Sequence, residues 1–271
     1  LRTAQAAAGA SVAAAEAHGG FLAMIGTLGQ RTAELHVALS QRTGDPAFDP
    51  EPLLAADIAA FRKRAAAEAE MTLALLGERL AQLPAHVQEP AQALLAAREN
   101  LQWRIATAAI DEKDGIKTRY HGDYHLGQVL VSGSDFVIID FEGEPARSFE
   151  ERREKSSPLR DVAGMLRSFN YARWSALRNV THHAGELERL GTATQAWEHA
   201  ARTTFLSGYG EALAAGAPGA RISADLLALF ELEKAMYELR YELNNRVDWV
   251  QVPLQGILAL LEGNPARRGN K

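Results

Sequence analysis

The sequence predicts an α+β fold that is predominantly α-helical and contains one small β-hairpin. Long stretches are rich in Ala, Leu, Glu, Gln and Arg, which are strong helix formers. β-branched residues cluster in the segment 129–139, where Ser-Gly-Ser-Asp separates two short apolar runs, as in a hairpin. Hydrophobic residues make up 47% of the 271 residues, which is enough for a packed core and excludes a disordered chain.

The predicted elements follow from helix formers and prolines taken in chain order. The Ala-rich start, 4–17, fits either a helix or a linker. Prolines between residues 46 and 52 predict a loop, and Pro84 ends the long helix before it, because proline cannot continue a helix. The expected helical segments are a first helix ending over 27–39, then about 52–83, 89–110, 158–178, 185–215, 221–246 and 253–262.

Composition excludes several classes of protein. The absence of cysteine excludes a disulfide scaffold, a thiolate zinc site and a cysteine nucleophile, and it suits the reducing cytoplasm. A net charge of −5 predicts no binding to nucleic acid or to anionic lipid. No apolar run reaches the ~18 residues of a membrane span. The chain starts at Leu1 without a signal peptide, so we expect a part of a longer protein.

The segment 121–143 carries the chemistry. It reads His-Gly-Asp-Tyr-His-Leu-Gly-Gln, then the hairpin, then Asp-Phe-Glu-Gly. Because an antiparallel hairpin brings its two outer ends to one side, Asp123, Gln128 and Asp140 are expected to converge. Carboxylate and amide oxygens are suitable ligands for Mg²⁺ that bridges phosphates. One carboxylate can instead act as the base that orients an attacking hydroxyl.

This spacing matches a kinase catalytic loop, H-x-D-x-x-x-x-N followed by D-F-G, with Gln128 in place of Asn and Glu142 in place of Gly. Two alternatives stay open. The His-Gly-Asp turn can be simple turn chemistry. His121, Asp123 and His125 can also ligate a transition metal, although that leaves the other acidic and amide groups unexplained.

Longer sequence segments resemble the maltokinase family, which is related to aminoglycoside phosphotransferases and is often fused to, or partnered with, trehalose synthase. The similar segments are HGDYHLGQVL, IIDFEGEP, ERREKSSPLRDVAGMLRSFNYA and FELEKAMYELRYELNNRVDWVQVPL, together with LGQRTAELHVAL and DPAFDPEP. They cover nearly the whole chain.

The resemblance implies the C-terminal lobe of a protein-kinase-like fold, spanning 1–271. Its parts would be a helical segment (1–110), the catalytic loop and hairpin (111–145) and a helical acceptor-binding part (146–271). The chain contains no phosphate-covering glycine loop and no strand lysine; Gly26 and Gly29 have the wrong spacing. The ATP-binding N-terminal lobe is therefore expected before the first residue, and the fragment alone is expected to be inactive. Its expected partners are its own N-terminal lobe and trehalose synthase.

The same resemblance implies a role for each motif residue. Asp123 would be the base that faces a hydroxyl of maltose, and the product would be maltose 1-phosphate, a precursor of glycogen. Gln128 and Asp140 would hold Mg²⁺ and, through it, the phosphates of ATP. His121 and Asp161 would support the loop. Arg147 is a further candidate for a phosphate contact.

The helix predicted over 221–246 carries an apolar stripe and a polar stripe at helical spacing. By itself the polar stripe fits a solvated face with ion pairs between successive turns. The resemblance instead implies that it lines the sugar cleft. The implied sugar-binding residues are His125, Glu231, Lys234, Tyr237, Glu238 and Tyr241, with Trp249 nearby.

Two other functions remain as alternatives. One is a related small-molecule kinase with an aminoglycoside or choline-type acceptor. The other is a non-catalytic sugar-binding or interaction module of a trehalose synthase assembly. Outside the motif, the charged run 152–155 and the pair His182-His183 are expected at the surface, and Trp103 and Trp174 in the core.

Overall fold

The computed structural model describes residues 2–145, 147–180 and 184–262, with side-chain burial for 19–145, 147–178 and 190–262. Within these ranges the chain is predominantly helical, with two small β-pairs, which confirms the predicted α+β class. The predicted pair His182-His183 lies outside the described residues. The α-helices are α1 (Arg2–Leu39), α2 (Ala55–Arg79), α3 (Ala85–Ala96), α4 (Arg98–Thr107), α5 (Phe149–Arg153), α6 (Leu159–Val180), α7 (Ala184–Gly216), α8 (Ala224–Asn245) and α9 (Gln251–Glu262).

The predicted hairpin is present as β3 (Val129–Ser132) and β4 (Asp135–Ile138), paired antiparallel from Val129 opposite Ile138 to Ser132 opposite Asp135. The expectation of a single β-hairpin is wrong in one respect. Strand β1 (Glu51–Pro52) pairs with β2 (Ile116–Lys117), and Thr118 continues that edge by bridging Ser156. The two-residue strands β1 and β2 join segments that are far apart in sequence, so no local sequence pattern predicts their pairing.

The helices pack in pairs around one hydrophobic core. Helix α1 runs along α7, α2 lies against α8, and α6 contacts both α7 and α8, while α9 covers the far side of α8. The predicted apolar stripe of α8 is buried, which explains its central position. The stripe consists of Leu229, Leu232, Met236, Leu239 and Leu243. Helix α8 thus contacts α2, α6 and α9, and its remaining face borders the catalytic segment.

Two details of the helical part differ from the sequence prediction. The single helix expected over 89–110 is two helices, α3 and α4, which meet at Ala97. Helix α3 starts right after Pro84 and tolerates Pro90 in its first half. Trp103 is not a core residue, since 53% of it is exposed on the outer side of α4, and Trp174 is half-buried. Among the described helices, none is both long enough and apolar enough to cross a bilayer.

Candidate active site

The turn before β3 is fixed by a buried carboxylate from the start of α6. Asp161 is 2% exposed and accepts the backbone N–H of His121 at 2.7 Å and that of Gly122 at 2.9 Å. Gly122 has φ of +89°, a conformation that side chains rarely adopt. The His-Gly turn therefore depends on a glycine and on Asp161, and it presents Asp123 next in sequence.

His121 is buried and both of its ring nitrogens are engaged. Nδ1 accepts the backbone N–H of Asp123 at 3.3 Å, so Nε2 carries the proton and donates it to the carbonyl of Ile139 at 2.8 Å. This bond ties the turn to the chain just before Asp140. A His121–Asp123–His125 metal site is therefore wrong, because His121 has no free nitrogen, and no three-residue metal cluster occurs among the described residues.

The two ends of the hairpin meet through Gln128 and Asp140. The Gln128 amide donates to Asp140 Oδ2 at 2.8 Å, while the backbone N–H of Ile139 donates to the carbonyl of Gln128 at 3.0 Å. Asp140 has φ of +65°, the only positive φ outside glycine among the described residues. This backbone conformation turns the chain sharply as it leaves the hairpin, and the Asp140 side chain is exposed.

Asp123 lies in a network of opposite charges that connects the catalytic segment to α8. The ammonium of Lys234 is 3.7 Å from Asp123 Oδ1 and 3.1 Å from Glu144 Oε1. Burial alone would lower the pKa of Lys234, but these carboxylates hold it above its usual value. Lys234 is therefore a permanent cation, and its charge acts to lower the pKa of Glu144.

His125 is the second nitrogen group beside Asp123. Its Nδ1 accepts the N–H of Gly127 at 3.0 Å, and its Nε2 is 3.9 Å from Asp123 Oδ2. Burial lowers the pKa of His125 below the ordinary value, although Asp123 acts in the opposite direction. The neutral ring with its proton on Nε2 therefore offers a hydrogen-bond donor on the side of Asp123.

These groups surround a cavity of about 610 Å³ between the catalytic loop, α6 and α8. Six of the residues predicted from the sequence contribute to its wall, namely Asp123, His125, Lys234, Tyr237, Glu238 and Tyr241. Gln128 and Asp140 lie at the two outer ends of the hairpin and are not part of this wall. The structure thus gathers the predicted base and most of the predicted sugar-binding residues around one space.

Glu231 does not belong to this group. Its carboxylate is buried and paired with Arg202 of α7 at 2.6 and 2.9 Å, on another part of α8. Glu231 was predicted as a sugar-binding residue, but it is not among the residues that line this cavity. Trp249 is near the cavity wall but stacks on Tyr171 with 6.3 Å between ring centroids. Arg147 donates to Glu144 at 2.9 Å.

The sequence alone missed several cavity residues because their partners come from distant elements. Glu242 accepts the hydroxyl of Tyr171 at 3.1 Å and the guanidinium of Arg246 at 2.6 Å. Glu144 follows the Asp-Phe-Glu-Gly motif directly, and that position was the one signal available. Burial acts to raise the pKa of Glu144, but Lys234 and Arg147 hold the net pKa below its ordinary value.

The donor chemistry beside the hairpin is compatible with Mg²⁺. The hydrogen bond between these two residues uses the amide nitrogen of Gln128 and Oδ2 of Asp140. The amide oxygen of Gln128 and Oδ1 of Asp140 therefore remain as hard oxygen donors for a metal ion. Two protein oxygens suit an ion that keeps several waters and binds phosphate oxygens directly. These residues therefore fit Mg²⁺ better than a transition metal, which prefers nitrogen and sulfur ligands.

The known proteins to which the chain is similar share one activity. No family model matches the chain. It is 31% identical over 233 residues to a glucosamine kinase of Mycolicibacterium smegmatis, covering 85% of this chain and 51% of that enzyme. It is 28% identical over 244 residues to a glucosamine kinase of Streptacidiphilus jiangxiensis, covering 86% and 48%. The chain thus spans about half the length of the curated relatives it matches.

Solved structures agree with this result. A glucosamine kinase in complex with glucosamine, ADP and inorganic phosphate has a TM-score of 0.70 at 25% identity, over 89% of this chain and 52% of its own. A second crystal form of a glucosamine kinase gives the same TM-score over 88% and 52%. The assignment to the maltokinase family is therefore wrong. Nothing in these comparisons supports maltose, trehalose synthase, glycogen synthesis or a separate N-terminal lobe as a partner, and what they support is similarity to glucosamine kinases.

Proposed function

We propose that the protein carrying this chain is an ATP-dependent sugar kinase and that its acceptor is glucosamine. The observation that carries this proposal is the position of Asp123 on the wall of a cavity of about 610 Å³ lined by carboxylate, ammonium and tyrosine side chains, in the same loop as Gln128, which bonds Asp140. The similarity to glucosamine kinases supports the same class of acceptor. The complex of a similar kinase with ADP supports ATP as the phosphoryl donor.

The carboxylates of the cavity can bind an amino sugar. Four carboxylates line it, namely Asp123, Glu144, Glu238 and Glu242, together with the cations Lys234 and Arg246. Arg147 and Arg167 pair with Glu144 and Glu238 from outside this lining. A protonated amine can bind the free edge of one of these carboxylates in a partly buried site. The exposed ring of Tyr241 adds an apolar surface against which a sugar ring can pack.

The proposed mechanism relies on positioning and on charge neutralisation. Asp123 accepts the hydrogen bond of the sugar hydroxyl and takes its proton as the oxygen attacks the γ-phosphorus of ATP, while the bond to the bridging oxygen breaks and ADP leaves. Lys234 places its positive charge 3.7 Å from Asp123 Oδ1. Neutral His125 donates from Nε2 to a sugar oxygen. Gln128 and Asp140 would hold Mg²⁺, which neutralises charge on the phosphates when bound.

Asp123→Asn tests the proposal in the full-length protein. We expect the variant to lower kcat for glucosamine phosphorylation about 10²–10⁴-fold, because the amide cannot accept the proton, with a small change in KM. ADP release and formation of the phosphorylated sugar are measured together. Asp45→Asn is the matched control, since Asp45 is exposed and bonds Ala47 in its own loop.

The acceptor is identified in the same assay by comparing glucosamine with N-acetylglucosamine and glucose. We expect kcat/KM to be highest for glucosamine, because acetylation and replacement by hydroxyl both remove the positive charge. Equal activity on glucose would refute the amino-sugar acceptor but leave sugar phosphorylation in place. An Asp123→Asn variant as active as wild type would refute the catalytic assignment.

A further inference from the structure

We propose that His36, from the distant helix α1, is a positioning residue for the catalytic loop and that it acts through Asp161. This inference rests on the proposed kinase function, because the loop it positions carries Asp123. His36 is 2% exposed, and its Nε2 lies 3.1 Å from Asp161 Oδ2. It is separated from Asp161 by 125 positions in the chain and lies outside the loop it supports.

The hydrogen bonds assign a direction to this chain of contacts. Asp161 accepts three donors, namely the N–H groups of His121 and Gly122 and the ring of His36. As a carboxylate, Asp161 has no proton to give, so His36 must donate from Nε2. Its Nδ1 then accepts from the hydroxyl of Tyr209 at 3.0 Å. The Tyr209 hydroxyl therefore donates to His36, and His36 donates to Asp161. Each of these hydrogen bonds fixes the orientation of the group that accepts it.

The geometry explains why a third donor matters. Oδ2 of Asp161 accepts hydrogen bonds from His36 and from the N–H of His121, while Oδ1 accepts the N–H of Gly122. Without His36 the buried carboxylate keeps one donor on each oxygen and can rotate about its terminal bond. A buried carboxylate that loses a hydrogen-bond donor is less well stabilised, so the native orientation of Asp161 is less strongly favoured over alternatives. Rotation would shift the His-Gly turn and with it Asp123.

A second contact from α1 reaches the same loop one turn earlier. Thr32 Oγ1 lies 2.8 Å from the hydroxyl of Tyr124, and both residues are buried. Helix α1 therefore holds the loop on both sides of Asp123, through His36 and Asp161 before it and through Tyr124 after it. The second contact orients the backbone after Asp123 and keeps the loop attached when the first is removed. Loss of His36 should thus misplace Asp123 without unfolding the site.

The test uses His36→Phe and His36→Gln in the full-length protein. Phenylalanine fills the space without a donor, whereas the glutamine amide nitrogen can replace Nε2–H. We expect His36→Phe to lower kcat about 10- to 100-fold, the cost of a misplaced catalytic group, with less than about threefold change in KM for the sugar. We expect His36→Gln to recover most of kcat. His199→Phe is the matched control, because His199 is exposed on α7.

Chemical rescue gives a second readout that a merely structural role would not move. His36 and Tyr209 form part of the wall of another cavity of about 310 Å³, whose lining does not include Asp123. Imidazole can therefore reach the space vacated in His36→Ala. We expect added imidazole to raise kcat of His36→Ala at least threefold and to leave Asp161→Ala unchanged. If imidazole has no effect on His36→Ala, the proposal is refuted.

Hydrogen–deuterium exchange separates this proposal from the proposed function. In His36→Phe, the peptide containing residues 120–123 should exchange at least about tenfold faster than in wild type, whether or not any sugar is phosphorylated. Unchanged exchange, or a glutamine variant as impaired as the phenylalanine variant, would overturn the positioning role. A wild-type protein without sugar kinase activity would instead overturn the proposed function and leave the exchange result to decide His36.

Discussion

At the scale of single residues, the back wall of the cavity depends on a buried ion pair. Arg167 of α6 donates from Nε to Glu238 of α8 at 2.8 Å, and its side chain is 3% exposed. Gly256 of α9 leaves the space for the guanidinium, because a Cβ there would overlap Arg167 Nη1. Glu238 is therefore fixed before any ligand arrives, and its outer edge faces the cavity.

Glu238→Leu is predicted to destabilise the protein by about 3–5 kcal/mol, because it leaves the Arg167 guanidinium buried without its counter-charge. The double variant Glu238→Leu with Arg167→Met removes both charges and should recover most of that loss. Urea denaturation of the three proteins measures the free energies. A single variant as stable as wild type would show that the pair contributes nothing to folding.

The sequence located the cavity residues of α8 because helical spacing puts positions 234, 238 and 241 on one face. The same spacing misplaced Glu231. Position 231 is two turns before Glu238, roughly 10 Å along the axis, so α7 and Arg202 reach it and the cavity does not. Partners such as Arg167 and Tyr171 come from another helix, and no periodicity within α8 contains them. Tertiary contacts decided these positions.

At the scale of elements, α1 and α7 approach closely at glycines. A Cβ on Gly29 would overlap the carbonyl oxygen of Phe205 and come within 2.9 Å of Tyr209 N, and a Cβ on Gly208 would overlap the carbonyl oxygen of Gly26. Gly29, which the sequence excluded from a phosphate-binding loop by its spacing, and Gly208 therefore have a packing role.

Gly29→Ala is predicted to destabilise the protein by about 1–3 kcal/mol, because the methyl group meets backbone atoms that cannot turn aside. Gly77→Ala on α2 is the matched control. Nothing lies within 4 Å of a Cβ there, so the better helix propensity of alanine should stabilise by about 0.5–1 kcal/mol. Thermal unfolding of both variants measures the difference. Equal shifts in the same direction would refute the close crossing.

Element prediction succeeded where local signals are strong and failed where pairing is non-local. The ends of α6 to α9 agree with the expected segments to within a few residues, since amphipathic periodicity and flanking turn residues mark them. The hairpin β3–β4 was marked by its turn. The β1–β2 pair was missed because it joins residues about 65 positions apart, and its two-residue strands have no periodicity of their own.

At the scale of the whole molecule, the segment around Asp123 is held from several directions by separate parts of the chain. Helix α1 holds it through His36 and Thr32, α6 through Asp161, and α8 through Lys234. Arg31 of α1 adds a bidentate pair with Asp135 at the tip of the hairpin, at 2.7 and 2.9 Å. The stability of the fold and the geometry of the site therefore depend on the same carboxylates. Protonation of these carboxylates at low pH should weaken both.

Glu144 makes that coupling measurable. Burial acts to raise the pKa of Glu144, but Lys234 and Arg147 together lower it by more. The folded-state pKa therefore lies below the ordinary value of 4.5. The unfolded chain therefore binds a proton more readily than the folded chain between these two values. The stabilisation from ionised Glu144 is complete above pH 4.5 and disappears as pH falls through the folded-state pKa. The charge-assisted hydrogen bonds that Glu144 accepts from Lys234 and Arg147 are expected to contribute about 1.5–3 kcal/mol to the free energy of unfolding.

Glu144→Gln should accordingly be less stable than wild type by about 1.5–3 kcal/mol at pH 7, and the gap should narrow progressively below pH 4.5. Urea denaturation at a series of pH values from 7 to 3 gives both curves. Glu99→Gln, at an exposed position on α4, is the control and should follow wild type throughout. A gap that stays constant down to pH 3 would contradict the lowered pKa. A gap that widens in acid would mean that Glu144 is protonated more readily in the folded protein, so that Lys234 and Arg147 do not outweigh its burial.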